Sequence, residues 1–326
     1  MRMSNVGFGM ILVAIQAGAA PEPLALVRSI GLPRVEGRID HLAFDAGTQR
    51  LYIAALGNNT VEVLDANAAS HLKSLPGFRE PQGIAILPDT RSVAVANGQG
   101  DGLQLIGADD YRPGPMIRLG DDADNVRYDP SAKRVYVGFG GGALAAIDPM
   151  TGKVVGAARL AGHPESFQLE RGGARVFINV PDAHQVAVVD RSTMKISATW
   201  PVTTAGSNFP MALDEPNHRV FVGCRRPAKV LVFDTTSGRE TASFDIVGDT
   251  DDLFYDAPRK RLYVTGGEGY IDVVQDEGKN TFIRIARVST APGARTSLFV
   301  AEQSRLYLAV PHRGNQKAEI RVFEAR

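Results

Sequence analysis

The sequence is poor in the features that announce most chemistries. Its single cysteine, Cys224, excludes an intramolecular disulfide and any Cys-x-x-Cys-His haem attachment. Cys224 closes the apolar run Val220-Phe221-Val222-Gly223-Cys224, where a small buried hydrophobe is expected rather than a nucleophile. Charge of one sign is not in excess, since 36 Lys and Arg balance 36 Asp and Glu. No global field would therefore draw in nucleic acid or an anionic membrane. The 3.6-residue periodicity of a helical solenoid is absent. No Ser-His-Asp order falls around a nucleophile elbow. The glycine-rich residues 138–142 lack the following helix that a phosphate loop needs, and read as a flexible hairpin loop. Arg225-Arg226-Pro227 reads as a small solvated basic turn.

Long apolar runs are missing too. Residues 6–15 form the main apolar stretch, too short to span a bilayer. Arg2 ahead of it and Ala17-Gly18-Ala19 behind it match the n-region and cleavage site of a signal peptide. Residues 1–20 are expected to be removed, leaving residues 21–326 as a soluble periplasmic or secreted chain without a membrane span.

What the sequence does have is a repeat. Arg50-Leu51-Tyr52-Ile53 recurs as Ser92-Val93-Ala94-Val95, Arg134-Val135-Tyr136-Val137, Arg175-Val176-Phe177-Ile178, Arg219-Val220-Phe221-Val222, Arg261-Leu262-Tyr263-Val264 and Arg305-Leu306-Tyr307-Leu308. Successive copies start 42, 42, 41, 44, 42 and 44 residues apart. Before this strand comes an apolar one that usually ends in an acid, such as Asp45, Asp129 or Asp214. After it come a third strand, a turn such as Asp148 to Lys153, and a fourth strand. Four antiparallel strands in about 42 residues make a propeller blade. The seventh copy stops after its third strand, and residues 26–32 resemble the missing fourth one. The expected fold is all-β: a single seven-bladed propeller domain whose last blade is closed by the N-terminal strand, leaving no bare edge.

Tyr263-Val264-Thr265-Gly266, Tyr136-Val137-Gly138, Ala94-Val95-Ala96-Asn97 and the Asp-x-x-Thr-Gly-Lys turn at 148–153 resemble the YVTN-type repeats of bacterial and archaeal β-propellers, within the broader WD40/YVTN repeat-like group. The resemblance spans almost the whole mature chain. The full Tyr-Val-Thr-Asn run is absent, and Thr-Gly-Lys occurs once. The resemblance implies an exported propeller and says little of chemistry.

The repeat also serves as a ruler. Five residues before the acid, the seven copies carry Asp40, Gln82, Asp124, Glu165, Phe209, Asp251 and Arg295. The next position carries His41, Gly83, Asn125, Ser166, Pro210, Asp252 and Thr296. Two further on, Arg127 and Gln168 replace the alanines of other copies. These positions begin the strand that lines the central channel, and they vary where the rest of the repeat does not. Asp40, His41, Gln82, Asp124, Asn125, Arg127, Glu165, Asp251, Asp252 and Arg295 are therefore the candidate ligand-binding residues, at one mouth of the channel.

Asp124, Glu165 and Asp251 with His41 form a candidate site for a divalent cation such as Ca²⁺. His41, His163 and Glu165 are an alternative set for a transition metal. Arg127 and Arg295 suit a carboxylate or phosphate, or simply pair with the channel acids. His71, His184, His218 and His312 are expected at the surface, and Trp200 in peripheral packing. The first functional expectation is a monomer that binds a small molecule or protein partner at the channel mouth. The alternative is a metal-dependent, lactonase-like hydrolase using the channel carboxylates and His41. For that alternative His41, Asp124, Glu165 and Asp251 are the candidate groups, with the catalytic role assigned to none of them.

Overall fold

The computed structural model describes residues 22–100 and 102–326, so the expected leader at 1–20 lies outside the described residues. Twenty-eight strands form seven four-stranded antiparallel sheets. Blade one runs from Leu42–Asp45 to Ser70–Pro76, and blade three from Ala123–Asp129 to Lys153–Arg159. Blade seven joins Ser297–Val300, Arg305–Val310 and Glu319–Ala325 to Leu24–Gly31. That closing strand starts two residues earlier than the sequence pattern indicates. It runs antiparallel to Glu319–Ala325, with Leu26 opposite Phe323 and Ile30 opposite Ile320.

The second strand of each blade is apolar at successive positions because both its faces are covered. Leu51 and Ile53 pack toward blade seven, whereas Tyr52 and Ala54 pack toward blade two. The core is accordingly seven clusters, each filling one boundary between neighbouring blades. Trp200 belongs to this core and not to the periphery. It is 7% exposed and stands between the rings of Phe177 and Phe233, at 5.2 and 6.0 Å. Gly238 makes room for it: φ is +70°, and a Cβ there would lie 2.3 Å from the indole nitrogen.

The recurring acids and arginines are structural. Asp148, Asp190 and Asp234 each accept two backbone N–H bonds from the turn that follows, which fixes the hairpin to the fourth strand. Arg219 bonds Asp214 and Asp276, both almost fully buried, at 2.6 Å each. Arg175 bonds Glu170 in the same manner. Cys224 is fully buried, and burial pushes its thiol up to about 12, an inert hydrophobe as expected. His184 and His218 are exposed. His71 is not a surface residue: its Nε2 lies 2.6 Å from the fully buried Glu62, which also accepts from Thr60 and Ser74. The same nitrogen faces Glu62 and Ser74, so the trio lacks the two-sided imidazole of a nucleophilic triad.

Candidate functional site at the channel mouth

The structure places all seven ring positions on the wall of one cavity of about 230 Å³. Asp40, Gln82, Asp124, Glu165, Phe209, Asp251 and Arg295 are joined there by Arg38, His41, Asp122, His163 and Arg225. Three of these additions occupy the position two residues before the ring: Arg38, Asp122 and His163. The chain often enters the channel strand through a left-handed residue at that level, with φ of 52° at Glu80, 58° at Asp122, 56° at Ser207 and 53° at Asp249. A second tier of side chains thus sits over the first. The strands themselves approach closely, since a Cβ on Gly83 would lie 2.1 Å from the Asp124 carbonyl oxygen.

One half of the mouth is an arginine–carboxylate lattice. Asp251 accepts from Arg225 Nη2 at 2.5 Å and Arg295 Nε at 2.9 Å. Arg295 also holds Asp249, and Arg225 lies 3.8 Å over the ring of Phe209. Arg38 bonds the buried Asp40 at 2.6 Å. Arg225 is therefore part of the site and not a residue of a solvated turn. The missed signal was Phe209, a lone aromatic in a polar ring and so a natural platform for a cation.

The other half is different. His163 Nδ1 lies 2.7 Å from the Gly140 carbonyl oxygen and 3.2 Å from Asp122. Its Nε2 faces Asp124 across 3.8 Å, beyond hydrogen-bond range. Asp124 is 7% exposed, and no arginine pairs with it or with Glu165 among the described residues. Burial pushes the Glu165 carboxyl up, and the neighbouring Asp124 and Asp251 push the same way. Burial would lower His163, but Asp124, the Gly140 carbonyl and Asp122 outweigh it and hold the imidazole above its usual range. The glycine-rich residues 138–142 do form a hairpin loop, and Gly140 supplies the carbonyl that orients His163.

His41 stands lower in the channel, 3.7 Å from both Asp40 and Asp252. Burial alone would lower its pKa, but Asp252, Asp40 and Asp124 outweigh it and raise it to about 10. Asp252 also accepts the Ser297 backbone N–H at 2.7 Å. With Arg127 and Gln168, His41 and Asp252 line a second cavity of about 400 Å³ further along the channel. Among the described residues Arg127 pairs with no channel acid: it donates to the Val126 carbonyl and lies over the Phe167 ring. Asn125 is buried and lines neither cavity, with an Oδ1 that has no hydrogen-bond partner among the described residues. Asn208 is also buried, donating to Asn179.

Of the residues expected to hold a cation, Asp124 and Glu165 come together, and His163 completes a group whose ligand atoms lie within 4.8 Å of one another. Asp251 is instead engaged by two guanidiniums, and His41 by two carboxylates.

No family model matches the chain, and no curated protein matches it in sequence. Among solved structures, a chain from the crystal structure of the mitotic checkpoint complex is similar, with a TM-score of 0.78 over 99% of this chain and 98% of that one. At 10% identity this shows a shared WD40-like propeller fold and nothing finer. In all, 1744 solved chains are similar, a fold too widely shared to select a function. Among the described residues, no helix is long and apolar enough to cross a membrane.

Proposed function

We propose that the chain is an exported, monomeric binding propeller that holds a small polar ligand at this channel mouth. One observation carries the reading: the seven ring positions, which range over Asp, Gln, Glu, Phe and Arg, converge on a single polar cavity. Its volume of about 230 Å³ is below the ~300–1,000 Å³ typical of drug-sized sites, so the ligand is an ion or a compact metabolite. The rigid blades and variable entry loops suit a binding or scaffold role. Export rests on Arg2, the apolar residues 6–15 and Ala17-Gly18-Ala19, and on the repeat's likeness to exported YVTN-type propellers.

The test is heteronuclear NMR of the mature chain titrated with amino acids, polyamines and small carboxylates. Shifts confined to the Asp124, Glu165, Phe209 and Asp251 amides support the reading. A panel that leaves all four unmoved overturns it. An N-terminus at Met1 in protein from the native host would overturn the export assignment, and a dimer mass in light scattering the monomer.

A second reading, metal-assisted hydrolysis, has one observation in its favour. Glu165 is a cavity carboxyl that burial and the neighbouring Asp124 and Asp251 push up toward the range of a general base. His41 does not supply that base near neutral pH, because its two carboxylate neighbours keep it protonated. Turnover of simple lactones that is lost in Glu165→Gln would favour hydrolysis over binding.

A further inference from the structure

Resting on the channel-mouth reading, we infer that Asp124, His163 and Glu165 form the protein half of a site for one divalent transition-metal ion of the zinc and manganese class. Their ligand atoms lie within 4.8 Å of one another, and the Asp124 Oδ2 to His163 Nε2 distance is 3.8 Å. Atoms bound about 2.1 Å from a tetrahedral or octahedral ion stand roughly 3.0–3.4 Å apart, so small side-chain rotations close the set on an ion.

Three independent features point the same way. The first is the orientation of the imidazole. The Gly140 carbonyl and Asp122 both approach Nδ1, which assigns a proton to that nitrogen and aims Nε2, where a metal ion would take the place of the second proton, at the Asp124 carboxylate. Metal-binding histidines are held in this manner by a carbonyl or carboxylate behind them.

The second is the company of the acids. Asp40 and Asp251 are matched by arginines, and Asp252 by a backbone N–H. Asp124, more than nine-tenths buried on the cavity wall, has the His163 imidazole across 3.8 Å, and no arginine pairs with it or with Glu165 among the described residues. One imidazole stands beside two carboxyl groups with no guanidinium, and a dication supplies the charge that ionising both requires.

The third is the donor chemistry. One nitrogen and two carboxylates suit zinc, manganese or cobalt, whereas Ca²⁺ takes six to eight oxygens. Three protein ligands leave the remaining coordination positions facing the cavity, open to water or to a small anionic ligand.

The experiment is calorimetric titration of the chelator-treated, full mature chain with ZnCl₂ and MnCl₂. The expected result is one ion per chain and a rise in Tm on saturation. Asp124→Asn and His163→Gln should each weaken binding at least 100-fold, and Asp122→Asn by about 10-fold as the group behind the imidazole. Circular dichroism checks that each variant is folded, and Asp124→Asn keeps size and polarity should His163→Gln misfold. His312→Gln, at a half-buried histidine outside the cavity, should leave binding unchanged.

No binding, or binding that Asp124→Asn and His163→Gln leave intact, overturns the metal inference. The NMR panel run on the metal-free chain separates this from the parent reading. Ligand shifts at Phe209 and Asp251 without metal binding would sink the ion site alone. Silence in both experiments would sink both.

Discussion

At the scale of single residues, the mouth depends on close approach and on charge. Gly83 is needed because the Asp124 backbone passes where its Cβ would be, at 2.1 Å. Gly83→Ala should cost ~1–3 kcal/mol in urea unfolding, as overpacking does, and should disturb ligand binding at Asp124. His41 sets a pH dependence. Its imidazole titrates at about 10 in the folded chain, above its ordinary value of 6.5. The folded state therefore holds an extra proton between those limits. The stability this contributes is full below pH 6.5 and disappears as pH rises toward 10. Wild-type Tm should fall between pH 6.5 and 9.5, and His41→Gln should flatten that fall. An unchanged slope would show that Asp40 and Asp252 do not hold the charge on His41.

At the scale of the element, the repeated Arg-apolar-aromatic strand joins blades by charge as well as by packing. Arg219 reaches Asp214 in its own blade and Asp276 in the next, with the two carboxylates 1% and 4% exposed. Its guanidinium also lies over Phe221 and Tyr255. Arg219→Ala should destabilise by ~3–5 kcal/mol, because two buried carboxylates lose their partner. Arg91→Ala, at an exposed pair with Asp109, should leave Tm unchanged within error. Equal effects from the two would mean that burial is not what gives the Arg219 pair its weight.

At the scale of the whole molecule, closure makes the ring cooperative. Seven core clusters each join two blades, and the one between blades seven and one includes Ile30 and Ile320 from the pairing of Leu24–Gly31 with Glu319–Ala325. Thr296 Oγ1 donates to the Ile39 carbonyl across that same boundary. Trp200, the only tryptophan, reports from blades four and five. In the intact chain its fluorescence and far-UV circular dichroism should follow one urea transition. Removing residues 22–31 bares the edge of Glu319–Ala325 and should separate the two transitions or cause aggregation. Coincident, unshifted transitions after this truncation would show that the closing strand is dispensable.

The blade count and the closing strand were legible because they rest on local regularities. Arg50 and its counterparts recur every 41 to 44 residues, and in six blades the hydrogen bonds are formed within that span, whereas the closing strand shows as the one the last copy lacks. Legible for the same reason was the ring: Asp124 and Glu165 sit at one register position, and a shared register becomes a shared height in the channel. What no period could show is who pairs with whom. Arg225 meets Asp251 across 26 residues, and His163 meets Gly140 across 23, through loops that the repeat does not constrain. The tier containing Asp122 depends on left-handed kinks that alternation does not describe. The sequence by itself therefore determined seven blades, their closure and the level of the mouth. Only the tertiary structure decided that Asp251 is neutralised by arginines while Asp124 and Glu165 face His163, because those distances follow from the radius of the ring and the turns at its rim.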